Sequence, residues 1–189
     1  MASLLDSVLS RYDFHEVHST RVGAPPAVAW QAVRAVTPAE VRLLLPLMFV
    51  RVLPGLLLTR RAPSVRLRAP VLDSFLAAGF AVLAERPGEE LVVGGAGRFW
   101  SLRGADGVAP LGSRADFDAF SRPASARTAM NFVVAAEGEG SRVTTETRIA
   151  GTDAEGTRAF ARYWRAIAVG SAVIRVSWLN AIRRRAERG

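Results

Sequence analysis

Phe160, Trp164, Ile167, Ser171, Ile174, Trp178 and then Ala181 or Ile182 recur at three- and four-residue steps, so a helix through them carries one apolar stripe. A stripe of that length is costly in water and demands a partner surface. Thr152-Asp153-Ala154-Glu155 reads as a capping box that starts the helix, with acidic groups where the partial positive charge of its first turn favours them. Arg183, Arg184, Arg185 and Arg188 oppose the partial negative charge at the other end. The Gly170-Ser171 pair marks a point where the helix could kink or divide.

The partner surface is written in the strands that precede it. Ala124 to Ala136 and Ser141 to Ile149 form a hairpin around Glu137-Gly138-Glu139-Gly140, whose glycines tolerate a left-handed backbone and whose carboxylates belong in water. Val143, Thr145, Thr147 and Ile149 share one face of the second strand. Upstream, Phe80 to Glu85 and a stretch from Glu90 through the glycines to Trp100 read as two more strands about a Pro87-Gly88 turn, and Asp106-Gly107 as a further turn. Asp116-Phe117-Asp118 reads as a solvated loop before Phe120. Near the N-terminus, Asp13 to Val22 alternates as a strand, with Phe14, Glu16, His18, Thr20 and Val22 on one face.

Short helices follow that first strand. Pro26 opens one through Val28, Trp30, Val33 and Val36, because proline at a first helical turn needs no donor. Thr37-Pro38-Ala39-Glu40 reads as another capping box, starting a helix to about Leu45 or beyond. A further helix is expected from Pro70 to Ala78, stopped by Gly79. The reading is therefore α+β: a curved antiparallel sheet wrapped around a long C-terminal helix, with short helices after the first strand. Residues 1–189 form a single domain on this reading, with 1–11 as an N-terminal extension and 41–70 as an irregular apolar excursion and candidate pocket lid.

Composition narrows the functional classes. Half the chain is apolar, enough for a sizeable core, and cysteine is absent, which removes disulfide and thiolate chemistry and suits a reducing cytoplasm. The N-terminus lacks the apolar run and cleavage signature of a signal peptide. Val41 to Leu58 is the most apolar stretch, but Arg42, Pro46, Arg51 and Pro54 interrupt it, whereas a spanning helix needs about 20 largely uncharged residues. No lysine occurs, so arginine supplies all the cations behind a net charge of +8. The arginines are scattered, which suits an arginine-rich proteome at least as well as an anionic partner, and nucleic acid is not the expected partner.

Val17-His18-Ser19-Thr20-Arg21-Val22 followed by Ala24-Pro25-Pro26 and Val28-Ala29-Trp30, then Gly97-Arg98-Phe99-Trp100, Asn131-Phe132-Val133-Val134 and Arg142-Val143-Thr144-Thr145-Glu146-Thr147-Arg148 before the last helix, occur in an order that resembles the START-like superfamily. This group, also called helix-grip or SRPBCC, includes pollen-allergen-type proteins and polyketide aromatase/cyclases. The resemblance runs from about residue 12 to the C-terminus. It implies a cavity between the concave sheet face and the long helix, suited to lipids, polyketides or similar apolar molecules. It implies no common reaction and carries no catalytic residue onto this chain.

The candidate ligand-binding residues follow from that arrangement. Phe80, Trp100, Phe132, Phe160, Trp164, Ile167 and Trp178 are expected around the enclosed volume, or else fill it as ordinary core. Thr145 and Thr147 add hydroxyls to the inward face. His18 and Glu16 lie two apart on one strand, so they share a face and form either an acid-base pair or a buried polar pair. Arg98 is a candidate to neutralise an acidic head group if its side chain turns inward. His15 and His18 fall on opposite faces, which speaks against a metal centre, and no cofactor is implied. Val92-Val93-Gly94-Gly95-Ala96-Gly97 resembles a phosphate loop but lacks the helix that would follow it, so its glycines read as bending the sheet.

The expected function is binding of a small hydrophobic molecule by a cytoplasmic protein of bacterial type. The alternatives are an aromatase/cyclase-like enzyme using His18, Glu16 or Arg98 on a bound polyketide, and an arginine-rich interaction module without a ligand.

Overall fold

The structure, a computed structural model, describes residues 2–44, 67–101 and 107–189. Its helices are α1 (Leu4–Val8), α2 (Pro26–Ala35), α3 (Val71–Ala77), α4 (Arg114–Ala119) and α5 (Ala154–Ala186). Its strands are β1 (Phe14–Val22), β2 (Ala81–Arg86), β3 (Glu90–Gly97), β4 (Val108–Ala109), β5 (Ala126–Glu137) and β6 (Gly140–Gly151). They form one curved antiparallel sheet in the order β1-β6-β5-β3-β2, with β4 on the end of β3. The α+β architecture read from the sequence is the one observed.

Strand alternation decides what each face carries. Along β1, Phe14, Glu16, His18, Thr20 and Val22 are the more covered positions and the residues between them are exposed. The ladder pairs Glu16 with Thr147 and His18 with Thr145, and pairs Thr147 in turn with Met130. All of these lie on the α5 side of the sheet, as do Leu91 and Val93 of β3, which share a core with Trp178.

The opposite face is also covered. Leu5, Val8 and Leu9 of the N-terminal segment pack with Ala81, Leu83, Val92, Ala129 and Phe117 into a separate apolar cluster. A five-residue helix has no stability of its own, and two buried ionic groups hold it there. Glu90, 3% exposed, accepts from Ser3 Oγ at 2.6 Å, Leu4 N at 2.8 Å and Asn131 Nδ2 at 2.8 Å. Arg148 pairs with Asp6 at 2.8 Å and Glu146 at 2.6 Å, and donates to the Leu9 carbonyl at 3.2 Å. The stretch read as an N-terminal extension thus supplies a third layer.

Four local expectations are corrected. The glycine strand does not continue to Trp100: β3 ends at Gly97, whose φ of +146° turns the chain, and Arg98 N then donates to the Gly107 carbonyl. Asp116-Phe117-Asp118 is not a loop, because Ser113 caps α4 by accepting from Asp116 N and Phe117 is fully buried. Glu40 does accept from Thr37 N at 2.8 Å, but 38–43 are turns and a bend and helix is reached only at Leu44, after which the expected helix lies outside the described residues. For the last helix the cap is Asp153, which accepts from Gly156 N at 2.7 Å, while Thr152 Oγ1 bonds the carbonyls of Arg122 and Ser125. Most of the candidate lid lies outside the described residues, as does Asp106 of the expected Asp106-Gly107 turn.

Candidate functional site

α5 runs unbroken for 33 residues through Gly170 and Ser171. Helical geometry at Gly170 needs no special backbone, so the pair interrupts nothing. The helix is held at its two ends. Near the start, Phe160 is 4% exposed and packs with Ala126, Ile149, Phe14, Trp100 and Trp164. Near the finish, Trp178, Leu179, Ala181 and Ile182 join α2, β3, β5 and β6 in the main core. Between Phe160 and Ser177 not one residue of α5 is buried. The apolar stripe is therefore seated on two separate clusters, with a differently built middle.

That middle is polar on both sides. From the sheet, Glu16 and His18 meet with Oε1 and Nε2 2.6 Å apart. From the helix, Ser171 Oγ donates to the other carboxylate oxygen, Glu16 Oε2, at 3.0 Å. One turn further along, the Arg175 guanidinium lies against the Met130 sulfur and 5.8 Å from the Trp178 ring centroid. Loss of hydration pushes this guanidinium down to about 10, and the charge of Glu16 opposes that shift. Arg175 stays charged at neutral pH, yet among the described residues no carboxylate comes within ion-pairing distance of it. Close by, the indole N–H of Trp178 is buried and has no acceptor among the described residues.

The residues singled out from the sequence fall into three groups. His18 and Thr147 lie at this polar middle, and Ile167 is partly buried one turn of α5 away. Trp100, Phe160 and Trp164 form one aromatic end: Trp164 stacks on Phe160 with centroids 5.9 Å apart, and Trp100 meets Phe160 edge-on at 6.2 Å. Phe80 lies over Gly95, where a Cβ would come within 2.9 Å of its ring, so glycine is what lets the ring approach the sheet.

The third group is spent on structure. Phe132 is 1% exposed and tilted against Trp178 at 4.9 Å, a core contact. Thr145 gives its hydroxyl to the Asn131 carbonyl at 2.7 Å. Arg98 donates to the carbonyls of Ala124 and Pro123 at 3.0 and 3.2 Å, so its charge ties the loop before β5 and is not aimed beneath α5.

Arg175 and Ser171 complete the site, and the sequence does carry a signal for Arg175. It stands four residues after Ser171 and three before Trp178, on the same side of the helix, although its charge makes it look like a surface residue.

An open recess, about 640 Å³, lies at the far end of α5 between Arg21, Glu139, Arg183, Arg184 and Glu187. Its lining mixes both signs of charge, and Glu187 already accepts from Gly23 N at 2.9 Å. Among the described residues, α5 is the one helix long and apolar enough to cross a membrane by length and composition, and its ends are packed into the protein.

No protein-family model matches the chain, and no curated protein sequence does. Among solved structures, protein MLL2253 from Mesorhizobium loti is similar at 14% identity and a TM-score of 0.39, over 90% of this chain and 98% of that one. TTHA0849 from Thermus thermophilus is similar at 13% identity and a TM-score of 0.34, over 93% of this chain and 98% of that one. Likeness at this level carries no statement about activity. The sheet and its C-terminal helix are compatible with a helix-grip fold.

Proposed function

We propose that this chain is a START-like protein that binds a small, largely apolar molecule between the sheet and the middle of α5. The observation that carries this reading is the divided seat of the helix. A helix crossing a sheet of this kind gains stability by burying its stripe throughout, at about 25 cal/mol per Å² of apolar surface. α5 buries both ends and leaves 161–176 without one buried residue. An apolar ligand flanked by Trp164 and Ile167 completes that burial, while Glu16, His18, Ser171 and Arg175 orient its polar end.

Native mass spectrometry of the full chain after exposure to a mixed lipid extract tests this. The expected result is a one-to-one noncovalent adduct that survives buffer exchange. A chain that stays empty across all lipid classes overturns the reading.

A second reading, favoured by the 2.6 Å contact of His18 with Glu16, is an aromatase/cyclase-like enzyme in which that pair moves protons on a bound polyketide. A carboxylate that holds an imidazole leaves the other ring nitrogen available for proton transfer. On this reading His18→Asn keeps ligand affinity and loses turnover by roughly a hundredfold or more. Unchanged turnover in that variant removes the His18–Glu16 pair from the chemistry, and a bound polyketide left unaltered by the parent protein overturns the enzyme reading in favour of the carrier.

A further inference from the structure

We propose that Arg175 is the anchor for a carboxylate, so that the ligand class is an apolar molecule ending in an acid, such as a fatty acid. The inference rests on the reading of a ligand beneath α5 and adds to it the chemistry of the ligand's polar end.

A guanidinium carries five N–H donors in a planar fork, and that fork matches a carboxylate edge. Arg175 places its guanidinium between helix and sheet against the thioether sulfur of Met130, an atom type that is at best a weak acceptor. Glu16 is the nearest opposite charge it feels, but both oxygens of Glu16 are engaged, one by His18 and one by Ser171. The indole N–H of Trp178, the ring over which the guanidinium lies, is buried and has no acceptor among the described residues. Among those residues, neither the guanidinium nor the indole N–H meets an oxygen within hydrogen-bonding distance.

The surroundings select the acceptor's charge. A cation partly stripped of water without a bonded counter-ion is costly, and an incoming anion reduces that cost while it gains charge-assisted bonds. A neutral alcohol would satisfy a donor but not the charge. Two other arginines beside the core are already committed: Arg98 to two carbonyls and Arg148 to Asp6 and Glu146. Arg175 is therefore distinguished from them by having no oxygen partner among the described residues and by its position beneath the helix.

Isothermal titration of the full chain with oleate and with oleyl alcohol, both below their aggregation limits, tests the assignment. Oleate is expected to bind roughly tenfold to a hundredfold more tightly than the alcohol. Arg175→Met, which keeps a flexible apolar stem, is expected to remove that preference by weakening oleate alone. Arg162→Met on the exposed side of the helix controls for attraction to the basic surface and leaves the preference intact. Equal affinities for acid and alcohol in the unaltered protein overturn the carboxylate assignment while the apolar-ligand reading survives, and this comparison holds even if Arg175→Met fails to fold. A preference lost equally in Arg162→Met also overturns it. Binding of neither probe counts against both this assignment and the ligand reading beneath it.

Discussion

Glu90 is a carboxylate almost wholly removed from water, so its contribution depends on the donors that replace its hydration. Burial raises its pKa, and the bonds from Ser3, Leu4, Asn131 and Leu5 more than reverse this, holding the group below the usual carboxylate value of 4.5. The sign of the linkage follows. A depressed native pKa means that the unfolded chain binds the proton more readily, so this stabilisation is present above the unfolded value and is lost as pH falls through the native one. Glu90→Gln puts an amide where the Leu4 and Leu5 donors converge and is expected to cost about 1–3 kcal/mol at neutral pH. Urea unfolding followed by circular dichroism measures it, and the gap between variant and parent should shrink below pH 4.5, where the parent carboxylate takes up its proton. Nothing about this role was legible beforehand: Glu90 stands in a strand next to another glutamate, and its partners are 87, 86 and 41 residues away in the chain.

Among the elements, α5 was the most legible because its signal is local and long. Its apolar spacing, its acidic first turn and its basic last turn all agree, and agreement among such levels is what makes an element easy to read. The same spacing could not reveal that the stripe is buried only at its ends, since the repeat records which residues share a side and not what lies opposite. Gly170 gives a direct test of the helix itself. A Cβ added there meets nothing within 4 Å, and glycine inside a helix costs about 1 kcal/mol relative to alanine. Gly170→Ala is therefore expected to stabilise the protein by about 1 kcal/mol, read as a higher midpoint in thermal or urea unfolding. A lower midpoint would mean that the backbone at this point is not the regular helix described. α1 and α4 were the least legible elements: five and six residues are too few to show a period, and tertiary contacts rather than propensity keep them helical.

At the scale of the whole molecule, the sheet is enclosed on both faces, and the two faces use different chemistry. One side is a small closed cluster sealed by α1 and α4 and pinned by Glu90 and Arg148. The other is divided, with an aromatic cluster at one end of α5, the main core at the other and the Glu16, His18, Ser171, Arg175 group between them. The apolar clusters hold the architecture, and the polar side chains meet between them. Polar groups placed there would be a defect in a solid core, since an unpaired buried donor costs roughly as much as a core contact supplies.

The sequence alone determined the class of fold, the inward face of β1 and β6, and the run of the last helix, because each of these follows from a repeat of two or of three to four residues along a continuous segment. It also brought His18 and Glu16 to one face, since residues two apart on a strand must share one. Only the tertiary structure decided which charges are tied into the fold by hydrogen bonds and which stand between helix and sheet. Arg98 and Arg175 are the same residue type, yet one is bonded to the Ala124 and Pro123 carbonyls and the other meets no oxygen partner among the described residues. That difference lies in what approaches from distant parts of the chain, and no local spacing records it.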